Sequence, residues 1–368
     1  MTLTTIRGIP LQVDLGWVLM VVLMTWFLAG SILDPADPRL SAAGRWLLAA
    51  ATAVAFFGSI LFHELAHALV ARLFGIPIRS IRLHLLGGLA EMEAEPATPK
   101  AEALIALAGP VANGLLTLLF GGLAFAVAVG SGPGVLGHVL MILAALNACL
   151  AVFNLVPGLP LDGGRVLRAA AWHYWGDAGR ALRLACHAGS VFALSLLLYG
   201  VVGTVRGDFA ALFWILVGVY LFRASRLPLR QHVIRQALHG LTVELLARPA
   251  EILPRGLPVS DFLREHASDE DDHRGHPVGD EGRVLGLVSV ADLRRVPRDD
   301  WDRRSLGELA RPLTSRNCTQ ETASIEEALH RMASSRVTSL LVPGDPPRIL
   351  SLRDIHERVV QASQPVAS

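Results

Sequence analysis

The chain is poor in cysteine and in net charge. Its 368 residues include three cysteines, Cys149, Cys186 and Cys318, which lie far apart and form no CxxC pair. Cysteines placed in this way exclude a disulfide framework and a cysteine zinc site. The formal net charge is +1, and charged residues make up 18% of the chain. Because no excess of basic residues is available to neutralise phosphates, we expect no nucleic-acid partner.

Apolar sequence, in contrast, is abundant. Hydrophobic residues make up 52% of the chain, and the mean hydropathy is +0.46, more than a water-soluble chain of this length needs to fill a core. Residues 1–227 contain 25 Asp, Glu, Lys and Arg residues, and residues 228–368 contain 40. We therefore expect a transmembrane domain over residues 1–227 and a soluble domain over residues 228–368.

Six apolar runs predict about six transmembrane helices, since most of them approach the roughly 20 residues that cross a bilayer. The runs cover residues 15–33, 46–62 with a helix continuing to about 74, 103–129, 133–156, 188–205 and 209–222. The first run has little positive charge before it and no small-residue cleavage pattern after it, so a cleaved signal peptide is the weaker interpretation. The chain is expected to be a multi-pass protein of the cell membrane.

The orientation follows from Arg and Lys, which are retained on the cytoplasmic side. If the N-terminus is cytoplasmic, the inner segments carry twelve of these residues and the outer segments carry three, Arg39, Arg45 and Arg206. The inner residues are Arg7, Arg72, Arg79, Arg82, Lys100, Arg165, Arg168, Arg180, Arg183, Arg223, Arg226 and Arg230. This bias predicts that the N-terminus and the C-terminal domain are both cytoplasmic.

The second apolar run leads directly into the sequence HELAH, residues 63–67. Ionisable residues are costly in a membrane and usually functional. On a helix, His63 and His67 share a face and can bind one zinc ion, while Glu64 can take a proton from water. An ordinary polar patch at a helix end is the alternative interpretation.

Catalytic zinc needs a third protein ligand and an open position. Asp162 is the candidate, because it follows the fourth run, which crosses in the same direction as the second and therefore ends at a similar depth. Pro157 and Pro160 break the helix before it, and irregular backbone is tolerated at membrane depth only beside protein or water. A plain Pro/Gly-rich helix terminus is the alternative.

These two segments, HELAH and NLVPGLPLDGG at residues 154–164, resemble the signature motifs of the site-2 protease family of intramembrane zinc metalloproteases. Further matches are residues 74–76, Gly87 and Gly88, and residues 108–113. The resemblance implies peptide-bond hydrolysis in or near a substrate's membrane helix, with one Zn²⁺ on His63, His67 and Asp162 and with Glu64 as general base. Asn113 and Asn154 match family asparagines, for which contacts to the substrate or site and a helix-packing hydrogen bond are both open.

Residues 79–95 alternate polar and apolar side chains around the Gly87-Gly88 pair, which predicts a β-hairpin. By the same resemblance, this hairpin is membrane-associated and lies near the site. Its edge could hold an unwound substrate as an added strand. A hairpin on the cytoplasmic surface is the alternative.

The C-terminal domain contains a weak internal repeat. Each half ends in strand, turn, strand and a Ser-x-x-Asp motif that opens a helix. This resembles a tandem pair of CBS domains, at about residues 243–298 and 305–363. The resemblance implies an adenine nucleotide as a further ligand, with Ser289, Asp292, Ser351 and Asp354 at the binding positions. A structural or dimerising function, with a homodimer formed through the CBS pair, is the alternative.

The sequence thus predicts a zinc endopeptidase of regulated intramembrane proteolysis, which a cytoplasmic CBS pair regulates or dimerises. The family resemblance implies lipid-embedded, single-pass substrates such as anti-sigma factors or membrane-bound transcription factors. A CBS-regulated transporter or channel would explain the helices and the tail, but not the HExxH motif with a matching Asp162. A membrane zinc protease that acts on soluble peptides is a second alternative.

Overall fold

The computed structural model describes residues 2–6, 8–32, 41–84, 87–132, 134–266, 274–280 and 282–363. Arg7 and Arg39, which contribute to the predicted orientation, and residue 33, the last residue of the first apolar run, lie outside these ranges. The chain forms two compact units, Met1–Leu229 and Arg230–Ser368. A largely helical unit is thus followed by a mixed α/β unit.

Helices dominate the first unit. In chain order they are α1 (Leu15–Phe27), α2 (Ala42–Leu73), α3 (Pro99–Ser131), α4 (Val135–Asn154), α5 (Asp162–Trp175), α6 (Ala178–Val205) and α7 (Leu212–Leu238). Within the described residues, five helical segments are long and apolar enough to cross a membrane, and Leu15–Gly30 forms a shorter apolar helix. Within the described residues, each of the six predicted runs lies largely on a helix, and in the first run α1 ends at Phe27 and is followed by a π-helical turn, Leu28–Ile32.

A four-stranded sheet lies beside these helices. Its strands are β1 (Thr2–Ile6), β2 (Ile9–Val13), β3 (Ile78–His84) and β4 (Gly87–Met92), in the order β1-β2-β3-β4. The predicted hairpin corresponds to β3 and β4. The N-terminal hairpin was not predicted, and its strand β2 pairs in parallel with β3. Alternate residues of β2, namely Ile9, Leu11 and Val13, are buried in a core shared with α2 and α3.

A buried ion pair joins α3 to α5. The Glu102 side chain on α3 is fully buried, and its Oε1 lies 2.6 Å from Nε of Arg168 on α5. A buried carboxylate without a cationic partner would be costly, and the Arg168 guanidinium compensates the charge of Glu102. The pair therefore fixes α5, which begins at Asp162, against α3.

The loop between α4 and α5 is held against α6 by close backbone contacts. The Leu159 amide donates a hydrogen bond to the Ala185 carbonyl at 3.1 Å. A Cβ on Gly189 would lie 1.9 Å from the Leu159 oxygen, and a Cβ on Gly158 would lie 2.5 Å from the Gly189 Cα. Only glycine allows this approach, so the position of Asp162 depends on these two residues.

The second unit contains two small sheets with the helices packed on them. Its elements are α8 (Val243–Leu246), β5 (Arg248–Pro249), β6 (Leu253–Pro254), α9 (Val259–His266), β7 (Gly275–Asp280), β8 (Arg283–Ser289), α10 (Val290–Leu293), α11 (Leu306–Leu309), β9 (Arg311–Pro312), α12 (Ile325–Ser335), β10 (Ser339–Val342), β11 (Arg348–Ser351) and α13 (Leu352–Ser363). The strand orders are β10-β11-β5 and β6-β7-β8-β9.

The two sequence repeats exchange strands. Strand β5 lies in the first predicted repeat but pairs with β11 of the second, and β9 lies in the second repeat but pairs with β8 of the first. The predicted limits at residues 243–298 and 305–363 therefore differ from the limits of the sheets. Helix α7 likewise runs through Pro228 to Leu238, past the predicted boundary, because the change in composition occurs within a continuous helix.

Candidate metal centre

Helix α2 carries the two predicted histidines on one buried face. His63 and His67 are separated by one helical turn, and their Nε2 atoms lie 3.1 Å apart. Both side chains are buried, with relative exposures of 5% and 4%. The i,i+4 spacing of the HExxH motif thus brings two ring nitrogens to one point.

Asp162 completes this cluster from a distant part of the chain. It is the first residue of α5, and its Oδ2 lies 3.2 Å from Nε2 of His63 and 3.3 Å from Nε2 of His67. The three residues, all buried, form a group that could hold a metal ion. Among the described residues, no donor forms a hydrogen bond with this Oδ2 atom.

Backbone and amide oxygens determine which nitrogen of each imidazole faces the cluster. Nδ1 of His67 donates to the Ile105 carbonyl at 2.6 Å, and Nδ1 of His63 donates to Oδ1 of Asn113. Since both Nδ1 atoms carry the proton, both Nε2 atoms present lone pairs towards Asp162. Metal-ligating histidines ordinarily have a partner of this kind on the other ring nitrogen.

This donor set fits zinc. Three lone-pair donors converge without a compensating proton, which is unfavourable unless a cation lies among them. Tetrahedral zinc with ligand bonds of about 2.0–2.1 Å requires ligand atoms roughly 3.3–3.4 Å apart. The observed separations of 3.1, 3.2 and 3.3 Å are close to one face of that tetrahedron.

Helix α3 closes one side of the centre through Gly109. A Cβ on this residue would lie 2.3 Å from Nε2 of His67 and 2.5 Å from Nε2 of His63. The backbone of α3 therefore lies against the donor atoms, and glycine leaves the space that an ion needs. In the sequence, Gly109 stands out only as part of the matching segment 108–113. The signal that could have revealed it is a glycine followed by Pro110 in an apolar run.

Glu64 lies beside the first residues of β4. A Cβ on Gly88 would lie 2.3 Å from Cγ and 3.0 Å from Oε1 of Glu64. Gly87 begins the same strand and pairs with His84. Among the described strands β4 has β3 as its single neighbour, so its other edge has no paired strand there, and Glu64 lies against the face of β4 at Gly88.

The two predicted asparagines differ in their positions. Asn113 is fully buried and contacts His63. Asn154 is the last residue of α4, and within the described part of the chain it makes no side-chain hydrogen bond to the three-residue cluster. The structure thus gives Asn113 a contact in the centre and leaves the function of Asn154 a prediction.

Comparison with known proteins agrees with this geometry. Over 357 residues the chain is 34% identical to Rip3 of Mycobacterium tuberculosis, a protein assigned to the zinc metalloproteases, and the match covers 92% of this chain and 90% of Rip3. The sequence model of peptidase family M50 matches residues 51–132 and 131–196. The chain belongs to peptidase family M50. It is a zinc metalloendopeptidase with several membrane helices, and the alternative of a transporter or channel is set aside.

Solved structures resemble the two parts of this M50 peptidase separately. The site-2 protease of Methanocaldococcus jannaschii is 26% identical, with a TM-score of 0.43, and the match covers 62% of this chain and 94% of that chain. The CBS domain of a bacterial CNNM/CorC family Mg²⁺ transporter, solved with ATP, is 17% identical, with a TM-score of 0.29, and covers 36% of this chain and 94% of that chain. The chain's own elements confirm the predicted fold class: within the described residues, five helices are long and apolar enough to cross a membrane, and a unit of small sheets and helices follows them.

In the tail of the peptidase, both Ser-x-x-Asp motifs are engaged in internal contacts. Ser289 caps α10, and its hydroxyl donates to Oδ2 of Asp292 at 2.8 Å. The other carboxylate oxygen, Oδ1, lies 2.7 Å from Arg311 on β9. The first motif is thus linked to a strand that comes from the other repeat.

The second motif repeats this pattern. The Ser351 hydroxyl and amide both donate to Oδ2 of Asp354, at 2.5 and 2.9 Å, and Oδ1 lies 2.8 Å from Arg248 on β5. Hydrogen bonds from Arg353 and Arg248 also lower the pKa of the Glu357 carboxyl from its ordinary value. Each aspartate therefore pairs with an arginine of the exchanged strand.

Proposed function

We propose that this M50 peptidase is an intramembrane endopeptidase in which His63, His67 and Asp162 hold one Zn²⁺ and Glu64 is the general base. The observation that carries the proposal is the convergence of three buried donor atoms, 3.1–3.3 Å apart, two of which lie on α2, a helix long enough to cross a membrane. When bound, zinc polarises the scissile carbonyl and makes water more acidic.

The protein's own residues supply proton transfer and position. The Glu64 carboxylate accepts a proton from the attacking water and returns it to the leaving amine, as a general base and then acid. The Nδ1 hydrogen bonds of His63 and His67 keep both rings in one orientation. The Glu102–Arg168 pair holds the helix that carries Asp162.

The substrate is proposed to bind as an added strand on the outer edge of β4. A helix hides its amides in internal hydrogen bonds, whereas an extended segment can pair with a free edge. Gly88 lies against Glu64, so a strand bound there would bring its peptide bonds past this carboxylate. Asn154, Gly87 and Gly88 are the proposed contacts of this segment.

The proposed substrates are single-pass regulatory proteins, such as anti-sigma factors or membrane-bound transcription factors, cut within the cell membrane. The N-terminus and the CBS pair are proposed to be cytoplasmic, from the distribution of Arg and Lys. The CBS pair is proposed to regulate the protease or to form a homodimer. The proposed substrates rest on the resemblance to site-2 proteases, and the proposed function of the tail rests on the resemblance to CBS domains.

A comparison of anchored and free substrates tests the membrane proposal. One peptide is prepared with and without an attached transmembrane helix and is offered to the full-length protein in lipid vesicles. We expect faster cleavage of the anchored form, because anchoring raises its concentration beside the site. The Glu64→Gln protein, measured in the same vesicles, gives the background rate of cleavage. Equal rates for both forms would favour a protease of soluble peptides.

Nucleotide titration shows whether the two Ser-x-x-Asp motifs bind an adenine nucleotide or have a structural function. Since each aspartate is already paired with Arg248 or Arg311, the contacts favour the structural use. We expect ATP, ADP and AMP to give no saturable heat with the full-length protein up to millimolar concentration. Saturable heat that is lost in Asp354→Ala would instead assign the motif to nucleotide binding.

A further inference from the structure

A continuous chain of buried polar side chains leads to His63 from three helices. Nδ2 of Asn147 on α4 donates to Oγ of Ser59 on α2 at 3.2 Å and to the Leu143 carbonyl at 2.9 Å. Oδ1 of Asn147 accepts from Nδ2 of Asn113 on α3 at 2.8 Å. Asn113 then contacts His63. Both asparagine side chains are completely buried.

The chain of hydrogen bonds has a fixed direction. The Leu143 carbonyl can only accept, so the amide nitrogen of Asn147 must face it and the amide oxygen must face Asn113. Asn113 therefore turns its own nitrogen to Asn147 and its oxygen to His63. His63 must then carry its proton on Nδ1, which leaves the Nε2 lone pair directed at His67 and Asp162.

The two histidines thus obtain the same tautomer by different means. His67 has a backbone carbonyl, Ile105, as its Nδ1 partner, and a carbonyl cannot present a donor. Asn113 is an amide that, if reversed, would present its NH₂ group to Nδ1 and favour the tautomer protonated on Nε2. A histidine protonated on Nε2 cannot bind a metal through that atom.

We propose that Asn147 is a positioning residue of the metal centre, which holds the Asn113 amide in the orientation that keeps Nε2 of His63 available to zinc. Within the described residues, the side-chain hydrogen bonds of Asn147 go to Asn113, Ser59 and Leu143 and not to the proposed metal ligands, so Asn147 acts through Asn113. The inference rests on the proposed assignment of His63 as a zinc ligand. It gives a function to an asparagine that would otherwise only join α4 to its neighbours.

Zinc affinity, measured by competition with a chelator on the full-length protein in detergent, tests this proposal. Asn147→Leu keeps the branched shape of the side chain but has no hydrogen-bonding group, so Asn113 can reverse. We expect zinc to bind about 10- to 100-fold more weakly, the range typical of lost partners behind metal-ligating residues. Asn147→Ala is expected to weaken zinc binding in the same range, and it replaces Asn147→Leu in the experiment if that variant does not fold.

Thr52→Val is the matched control for loss of a buried hydrogen bond. Thr52 on α2 is also buried, and its hydroxyl donates to the Leu48 carbonyl at 2.7 Å. We expect this variant to lower thermal stability and to keep the zinc affinity of the wild type. If Asn147→Leu and Asn147→Ala behave in the same way as Thr52→Val, Asn147 only packs helices and the proposal is overturned.

Asn113→Asp supplies a second test, because it would not restore zinc affinity if Asn147 only packed the helices. Both oxygens of an aspartate accept hydrogen bonds, and a carboxylate behind a zinc-binding histidine is a common arrangement. The orientation of residue 113 then no longer matters. We expect Asn147→Leu to change zinc affinity little when Asn113→Asp is present, and an undiminished loss would contradict the proposal. Absence of zinc from the wild-type protein would instead refute the proposed metal centre itself.

Discussion

Glu64→Gln is expected to abolish peptide-bond cleavage while the protein keeps its zinc. Glutamine has the shape of glutamate but cannot accept a proton from water, and general base catalysis contributes about 10²- to 10⁴-fold to such reactions. The three proposed ligands are separate side chains, so metal content should not change. Zinc analysis and cleavage of a membrane-anchored substrate, made on the same preparation, measure both effects.

Glu93→Gln is a suitable control for this experiment. Glu93 directly follows β4, and its exposed carboxylate lies 4.0 Å from Arg79. We expect nearly normal cleavage from this variant. Undiminished cleavage by Glu64→Gln would rule out Glu64 as the base, and loss of zinc from it would mean that the carboxylate supports the metal centre as well.

Gly109→Ala is expected to prevent zinc binding and therefore to remove activity. The added methyl group would lie 2.3 Å from Nε2 of His67 and 2.5 Å from Nε2 of His63, distances at which an atom must move. If the rings turn away they lose their Nδ1 hydrogen bonds, and if α3 moves away it carries Asn113 and Ile105 with it. Either response destroys the arrangement of donor atoms.

Gly114→Ala on the same helix separates this steric effect from a general effect of alanine on α3. A Cβ on Gly114 meets nothing within 4 Å. We expect this variant to bind one zinc ion and to cleave normally, with a slight gain in helix stability. Wild-type zinc affinity in Gly109→Ala would show that the centre can expand, and would contradict the close packing described here.

The local part of the metal centre could be predicted from the sequence, and the long-range part only in outline. The spacing of His63 and His67 fixes their common face, because helix geometry alone determines it. Asp162 could be assigned from its motif and from the direction of the helix that precedes it. Its distance to the two histidines, however, depends on the glycines of the loop between α4 and α5. The start of α5 at this residue was not predicted.

Other features were missed because tertiary contacts decide them. The pairing of β2 with β3 joins segments that are far apart in the chain, and no short-range sequence pattern predicts it. Asn147 is a single amide in an apolar run, a weak signal for a partner on another helix. The exchange of β5 and β9 could not be predicted, because the two repeats have similar sequences and either repeat could supply the strand that pairs with β8 or β11.

The glycine contacts around Asp162 have a consequence for the lipid environment. Because Leu159 is hydrogen-bonded to Ala185 and Gly158 lies against Gly189, the loop follows α6 when that helix tilts. Spanning helices adjust their tilt to the thickness of the hydrocarbon layer. We therefore expect the thickness of the bilayer, and with it the length of the lipid acyl chains, to change the spacing between the Asp162 carboxylate and the two imidazoles that are proposed to hold the ion.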